Sequence, residues 1–267
     1  MNKKNFGGYR NYLLEANKNY EPLISVIVVV YNNVKHITNT INSIVSIDSS
    51  CIELIVIDGN STDGTTDVIR SFNDKIAFWI SEPDKGIYDA MNKGLMYAVG
   101  KYVWYINSGD EIYSSKNISS FIRNIDTIVD IYYGETIIIN EAGIEIGKRR
   151  LSAPKELNWR SFRNGMVVSH QSIIIKKTLT VPYNLKYKCS ADFEWVLQAL
   201  RKANKICNAN MVLSKFMDGG FTKKNLKTGL RERFQIMKNY YGFVATLLYH
   251  FLFLLRFTYY FFRFRRF

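Results

Sequence analysis

The sequence has 267 residues, with 36 Lys+Arg against 23 Asp+Glu for a formal net charge of +13; 47% of it is hydrophobic and 22% charged. That length and apolar content can bury a substantial core and exclude a mainly disordered chain. Only 3 cysteines, with no Cys-x-x-Cys pair, exclude a disulfide framework or structural zinc site and point to a reducing compartment. The first 21 residues have a basic flank but no apolar h-region, so no secretory signal is expected and the chain is expected to stay in the cytoplasm.

In chain order, Leu23 to Tyr31 is a continuous β-branched run, the pattern of a strand buried on both faces. Val34 to Ile47 carries apolar residues at helical spacing, and Glu53 to Ile57 returns to strand character, completing a βαβ unit. Ser61 to Gly64 supplies capping residues for a short helix reaching about Phe72. A third strand is expected over Ile76–Ile80, a helix over Gly86–Val99 and a fourth strand over Tyr102–Ile106. This alternation predicts an α/β fold with a parallel sheet. Beyond Ser114 the pattern is mixed. Ile131–Ile139 and Ile144–Arg150 read as paired strands around Asn140–Gly143, and Gln171–Ile175 reads as another strand. The expected division is an N-terminal extension at 1–22, a catalytic domain at 23–220 with parts at 23–113 and 114–220, and a helical tail at 221–267.

Open α/β sheets bind ligands outside the carboxyl ends of their strands. Three polar loops fall there: Tyr31-Asn32-Asn33 after the first strand, Asp58 to Asp63 after the second, and Asn107 to Glu111 after the fourth. Val26–Asn32, Glu53–Gly64, Ser81–Gly94 and Tyr105–Asp110 resemble segments of the family 2 glycosyltransferases, which have a GT-A nucleotide-sugar-binding fold, and in particular the branch that builds bacterial O-antigen, capsule and exopolysaccharide. The resemblance runs from about Leu23 to Asp218 and rests on four segments in family order.

The resemblance implies transfer of a hexose from a nucleotide sugar, UDP-linked by family likeness, with inversion from α donor to β product. The expected acceptor is a sugar on undecaprenyl diphosphate. Asp58 is the expected hydrogen-bond acceptor for the uracil imide or ribose, although Asp58 and Asp63 would equally form Asx turns or helix caps. Asp110 is the expected ligand of a Mg²⁺ or Mn²⁺ ion bridging the diphosphate. The usual Asp-x-Asp is thinned here to one carboxylate, because Asn107 and Gly109 flank Ser108. Tyr31, Asp84, Lys85, Asn92 and Asn107 are expected around the donor, with Asp84, Lys85 and Asn92 near the start of the third helix. Asp192 is the expected base that takes the acceptor proton; Ala191 stands where the family often has a preceding acid, and a helix-dipole role is the structural alternative. His170, before Gln171, is expected near the acceptor or diphosphate. Lys148 to Arg150 and Arg160 to Arg163 form either a solvated face or a surface for an anionic acceptor.

The tail from Tyr240 is apolar and aromatic, lacks acidic residues and ends in Arg263 to Phe267. At about 100° per residue, Lys238, Thr246, Tyr249, His250, Arg256, Tyr260 and Arg263 gather in one sector. That pattern predicts a helix lying on the inner face of the cytoplasmic membrane, with Leu248, Phe251, Leu252 and Leu255 on its apolar side. No Gly-rich phosphate loop follows the first strand, which argues against a nucleotidyltransferase. Nucleic-acid binding is not expected, since the charge does not form an aromatic-basic reading motif. A nonenzymatic, membrane-attached scaffold with a degenerate nucleotide-sugar site is the alternative from a different class.

Overall fold

A strand in which every residue is buried needs cover on both faces. β2 (Ile24–Val30) is such a strand. Its side chains alternate between two cores: Ile27 and Val29 enter one, and Ile24, Val26, Val28 and Val30 the other. In the computed structural model, which describes residues 5–10, 20–47, 50–219 and 225–264 without the side chains of 256–264, both cores are roofed by helices. α1 (Val34–Val45), α2 (Thr65–Ser71) and α4 (Ser115–Arg123) cover one face through Ile37, Ile41, Ile69 and Ile118. α3 (Ile87–Tyr97) and α5 (Ala191–Lys202) cover the other through Met91, Leu95, Val196 and Leu200.

β3 (Ile52–Asp58), β4 (Phe78–Ser81) and β5 (Tyr102–Asn107) join β2 in the parallel order β4-β3-β2-β5. Their carboxyl ends therefore lie together. β1 (Phe6–Gly7) pairs antiparallel with the outer edge of β4, so part of the expected N-terminal extension belongs to the sheet. On the other side β9 (Ile173–Lys176) runs antiparallel to both β5 and β7 (Ile131–Ile139). β10 (Ile206–Met217) lies parallel to β7 and antiparallel to β6 (Glu111–Ile112), while β8 (Glu145–Lys148) forms the expected hairpin with β7. One sheet thus crosses the boundary expected near residue 113.

The strand expected from Gln171 starts at Ile173, because His170–Ser172 form a 3₁₀ turn. β1, α4 and β10 were not foreseen. A buried ion pair anchors the N-terminal segment: Arg10 Nη1 lies 3.1 Å from Glu53 Oε2 and donates to the Tyr97 carbonyl. Glu53 also accepts from Ser25 Oγ and the Val99 amide, so neither charge is left without partners.

The C-terminal segment forms α6 (Leu226–Tyr241) and α7 (Phe243–Phe264), separated by Gly242 at φ 84°. Among the described residues no helix is long and apolar enough to cross a membrane. Of the polar sector, Thr246 and His250 turn inward: Thr246 is buried, His250 Nδ1 donates to the Thr246 carbonyl, and the His250 ring meets Phe234 of α6 edge-on, while the side chains of Arg256, Tyr260 and Arg263 lie outside the described residues. Val244, Leu248 and Phe251 point outward at 71%, 61% and 58% exposure, with Leu252 and Leu255 beside them. The expected basic end, Arg265 to Phe267, lies outside the described residues, as do residues 1–4 and 11–19.

Candidate active site

The loops at the carboxyl ends of β2, β3 and β4 are tied to one another. Asp58 ends β3 at 0% exposure and accepts from Ser61 Oγ at 2.5 Å, Ser81 Oγ at 2.6 Å, Thr66 Oγ1 at 2.8 Å and the Ser61 amide at 3.2 Å. Its carboxylate therefore organises the loop, with three donors on Oδ2 and the Ser61 hydroxyl alone on Oδ1. Asp63 accepts from the Val34 amide at the start of α1 and from the Thr65 amide and hydroxyl, which holds it below the usual carboxylate range. Asn32, in the left-handed region at φ 45°, accepts from the Thr62 amide.

Tyr31 is exposed over this floor. A Cβ on Gly59 would run into Asp84 and touch Tyr31, so three loops close around a bare backbone. Asp84 accepts from the Gly86 amide, and the exposed Lys85 precedes the helix start. Asn92 is engaged with the 183 segment, its amide donating to the Tyr183 carbonyl and accepting from the Tyr183 amide, so it braces that segment.

Asp110 is 4% exposed. Its oxygens accept from Gln171 Nε2 at 2.7 Å and the Met217 amide at 2.9 Å. Burial pushes its carboxyl up to about 6, against the opposing pull of those two donors and the His170 charge. β10 delivers Met217, so an unforeseen strand completes this position. Asn107 Oδ1 is buried with no hydrogen-bond partner, and its Nδ2 lies 3.4 Å from His170 Nε2. Among the described residues no group of three or more His, Cys, Asp or Glu is arranged to hold a metal ion. This corner instead holds one buried carboxylate and one buried amide oxygen without a partner.

His170 connects this corner to Asp192. Its Nδ1 lies 3.3 Å from Asp192 Oδ2, and Asp192 Oδ1 accepts from the Tyr88 hydroxyl at 3.0 Å and from the Phe193 amide at 2.9 Å. Burial works to raise the Asp192 carboxyl; the hydrogen bond and charge of His170, the charge of Arg233 and the Tyr88 hydroxyl outweigh it and hold the group below its ordinary range. Burial and the Asp192 charge push the Tyr88 hydroxyl up, so it remains a donor. Tyr88 stacks on Tyr183 at 5.5 Å between ring centres, Tyr183 stacks on Trp195 at 5.0 Å, and Tyr105 meets both edge-on. Sequence reasoning missed Tyr88, because its partner lies 104 residues away and no local spacing signals such a contact. Glu194 faces elsewhere and accepts from Asn184.

The result is a continuous polar line, Asn107–His170–Asp192–Tyr88, beside Asp110 and at the mouth of the β2–β4 loops. It offers a fixed carboxylate able to receive a proton next to a buried oxygen-rich corner. The chain is similar to an Escherichia coli UDP-Glc:α-D-GlcNAc-diphosphoundecaprenol β-1,3-glucosyltransferase, at 27% identity over 199 residues covering 73% of this chain and 76% of that one. The fold is similar to that of S. aureus TarS 1–349 (TM-score 0.63, 20% identity, covering 86% and 72% of the two chains). It is also similar to a mannosyltransferase from Pyrobaculum calidifontis in complex with GDP-Man and Mn²⁺ (TM-score 0.60, 17% identity, 87% and 71%). The family model for glycosyl transferase family 2 matches residues 25–180, and the chain belongs to that family of enzymes, which transfer a sugar from a nucleotide-sugar donor to an acceptor.

Proposed function

We propose that the protein is an inverting hexosyltransferase that moves a sugar from a UDP-sugar to a hydroxyl of a sugar carried on a lipid diphosphate, in the synthesis of a bacterial surface polysaccharide. The observation that carries the reading is the pairing of Asp192 with His170 and Tyr88, one residue removed from the corner formed by Asn107 and Asp110. The UDP donor and the lipid-diphosphate acceptor are supported by likeness to the E. coli UDP-Glc:α-D-GlcNAc-diphosphoundecaprenol β-1,3-glucosyltransferase.

In this mechanism the acceptor hydroxyl attacks the anomeric carbon from the face opposite the nucleoside diphosphate, and its proton passes to Asp192 as the new bond forms. The diphosphate leaves with the bonding electron pair, so configuration inverts. Tyr88 and the Phe193 amide fix the orientation of the carboxylate, and His170 stabilises its charge. Tyr31, Gly59 and Asp84 frame the donor, with Asp58 keeping their loop in shape and Lys85 at its rim. A Mg²⁺ or Mn²⁺ ion would be held by Asp110, with the unpartnered Asn107 Oδ1 as a further oxygen available to it, since Mg²⁺ needs few protein ligands and takes the rest from waters and phosphate. When bound, such an ion supplies charge neutralisation at the departing diphosphate.

The outward apolar face of α7, with the chain's +13 charge, supports peripheral attachment to the anionic inner face of the cytoplasmic membrane. Turnover of labelled UDP-Glc, UDP-Gal and their N-acetyl forms on a synthetic lipid-diphosphate sugar tests the reading. Transfer is expected from one of them, and Asp110→Ala and Asp192→Asn should each abolish it. Wild-type rates in both variants would show that the site lies elsewhere.

A further inference from the structure

Two guanidinium groups act on one another and on Asp192 through space. Arg149, just after β8, belongs to the basic stretch that reads as either a solvated face or a surface for an anionic acceptor. It is half-buried between the exposed Lys148 and Arg150, and its Nη2 donates to the Met166 carbonyl, on the segment that leads to His170. Arg233 arrives from α6. Its guanidinium lies 5.4 Å from the ring centre of Phe193, the residue after Asp192, and its Nε is buried with no hydrogen-bond partner. The helix is firmly seated there: Glu232 accepts from the Lys188 and Cys189 amides at 2.8 Å each, and Ser190 Oγ donates to the Gly229 carbonyl.

Among the described residues neither arginine forms an ion pair within 4.0 Å. Burial and the charge of Arg233 both press the Arg149 pKa down, while Glu135 and Asp192 act on Arg149 through space to raise it. Glu135 and Asp192 offset part of the repulsion between these two charges, and an anion between the guanidinium groups would remove more of it. The planar fork of a guanidinium matches phosphate oxygens in particular.

Neither arginine belongs to the donor loops: Arg149 follows β8 and bonds the segment that leads to His170, and Arg233 comes from α6. Resting on the lipid-diphosphate acceptor proposed above, we propose that Arg149 and Arg233 form a phosphate subsite for the acceptor, holding its diphosphate ester so that the attached sugar presents its hydroxyl to Asp192. The shared chemistry is a diphosphate, which donor and acceptor both carry, so the test must tell the two apart.

The probe is inorganic pyrophosphate, titrated calorimetrically into the full chain already saturated with UDP and excess Mg²⁺. Wild type should bind it saturably without releasing UDP. Arg149→Gln and Arg233→Gln should weaken pyrophosphate at least tenfold while UDP affinity stays within twofold, and Arg233→Lys should fall between. Absence of saturable binding by UDP-loaded wild type overturns the proposal even if the variants fail to fold, as does equal affinity in folded Gln variants. Displacement of UDP by pyrophosphate, or loss of UDP affinity in the Gln variants, assigns the arginines to the donor diphosphate and also overturns it. Failure of wild type to bind UDP at all would instead sink the donor reading, so the two failures are distinguishable.

Discussion

At the scale of single residues, the behaviour of Asp192 is set by its neighbours. His170 is a main reason its carboxyl stays low despite burial, so His170→Gln should let that pKa rise. The acid limb of the kcat/KM profile should then move to higher pH; an unmoved limb with a lower plateau would show that His170 acts elsewhere. Asp192 itself should remain charged through the neutral range, which would keep the proposed base available at the cost of strength. Glu53 makes a separate prediction. Glu53→Ala leaves the buried Arg10 without its counter-charge and the Val99 amide and Ser25 hydroxyl without their acceptor. Removing one member of a buried pair costs about 3–5 kcal/mol, and urea unfolding should show a loss of that order with little change in donor affinity, since the pair sits at the opposite ends of the strands from the loops.

Among the elements, the parallel half of the sheet was legible because its strands are apolar on both faces and each helix between them keeps a single apolar stripe. β10 was not legible, for a physical reason. Its register with β7 shifts between Asn208 and Val212 and again between Val212 and Ser214, with Asn210 at φ 52°, so no period of two survives in Ile206–Met217. β1 is two residues long and depends entirely on the β4 edge. In the candidate site, Asp58, Asp110 and Asp192 stood out because acids after apolar strands or at helix starts are conspicuous. Tyr88 and Arg233 could not, since only packing brings them to Asp192. Asp130 shows how one side chain joins these less legible strands: it sits just before β7, pairs with Lys176 of β9 at 2.9 Å and accepts from the Asn204 and Lys205 amides ahead of β10. Burial works to raise its pKa, but Lys176 and the two amides prevail and lower it. A depressed carboxyl stabilises the fold above its unfolded pKa of about 3.9 and ceases to do so as pH falls through the folded value. The stability advantage of wild type over Asp130→Asn should therefore be full at pH 6 and shrink below about pH 4; an advantage that is flat with pH would show that the charge is irrelevant.

For the whole molecule, an outward row of Val244, Leu248, Phe251 and Leu255 is surface that water covers poorly. Burying each large side chain is worth roughly 1.5–3 kcal/mol, and each basic residue near anionic lipid adds about 1 kcal/mol. The protein should sediment with vesicles containing anionic lipid and be released only in part by moderate salt, because the apolar contribution is unscreened. Truncation after Tyr241 should abolish that sedimentation, and persistence of binding would place the attachment elsewhere. The seating of α6 gives that cut a sharp meaning. Glu232 and Gly229, both upstream of Tyr241, grip the turn from Lys188 to Ser190 that launches the helix bearing Asp192. Shortening the chain to Tyr241 removes the greasy sleeve and spares the clasp, whereas shortening it to before Leu226 would unfasten the turn itself. A deletion series should show two separate thresholds, the first costing adhesion and the second costing the chemistry.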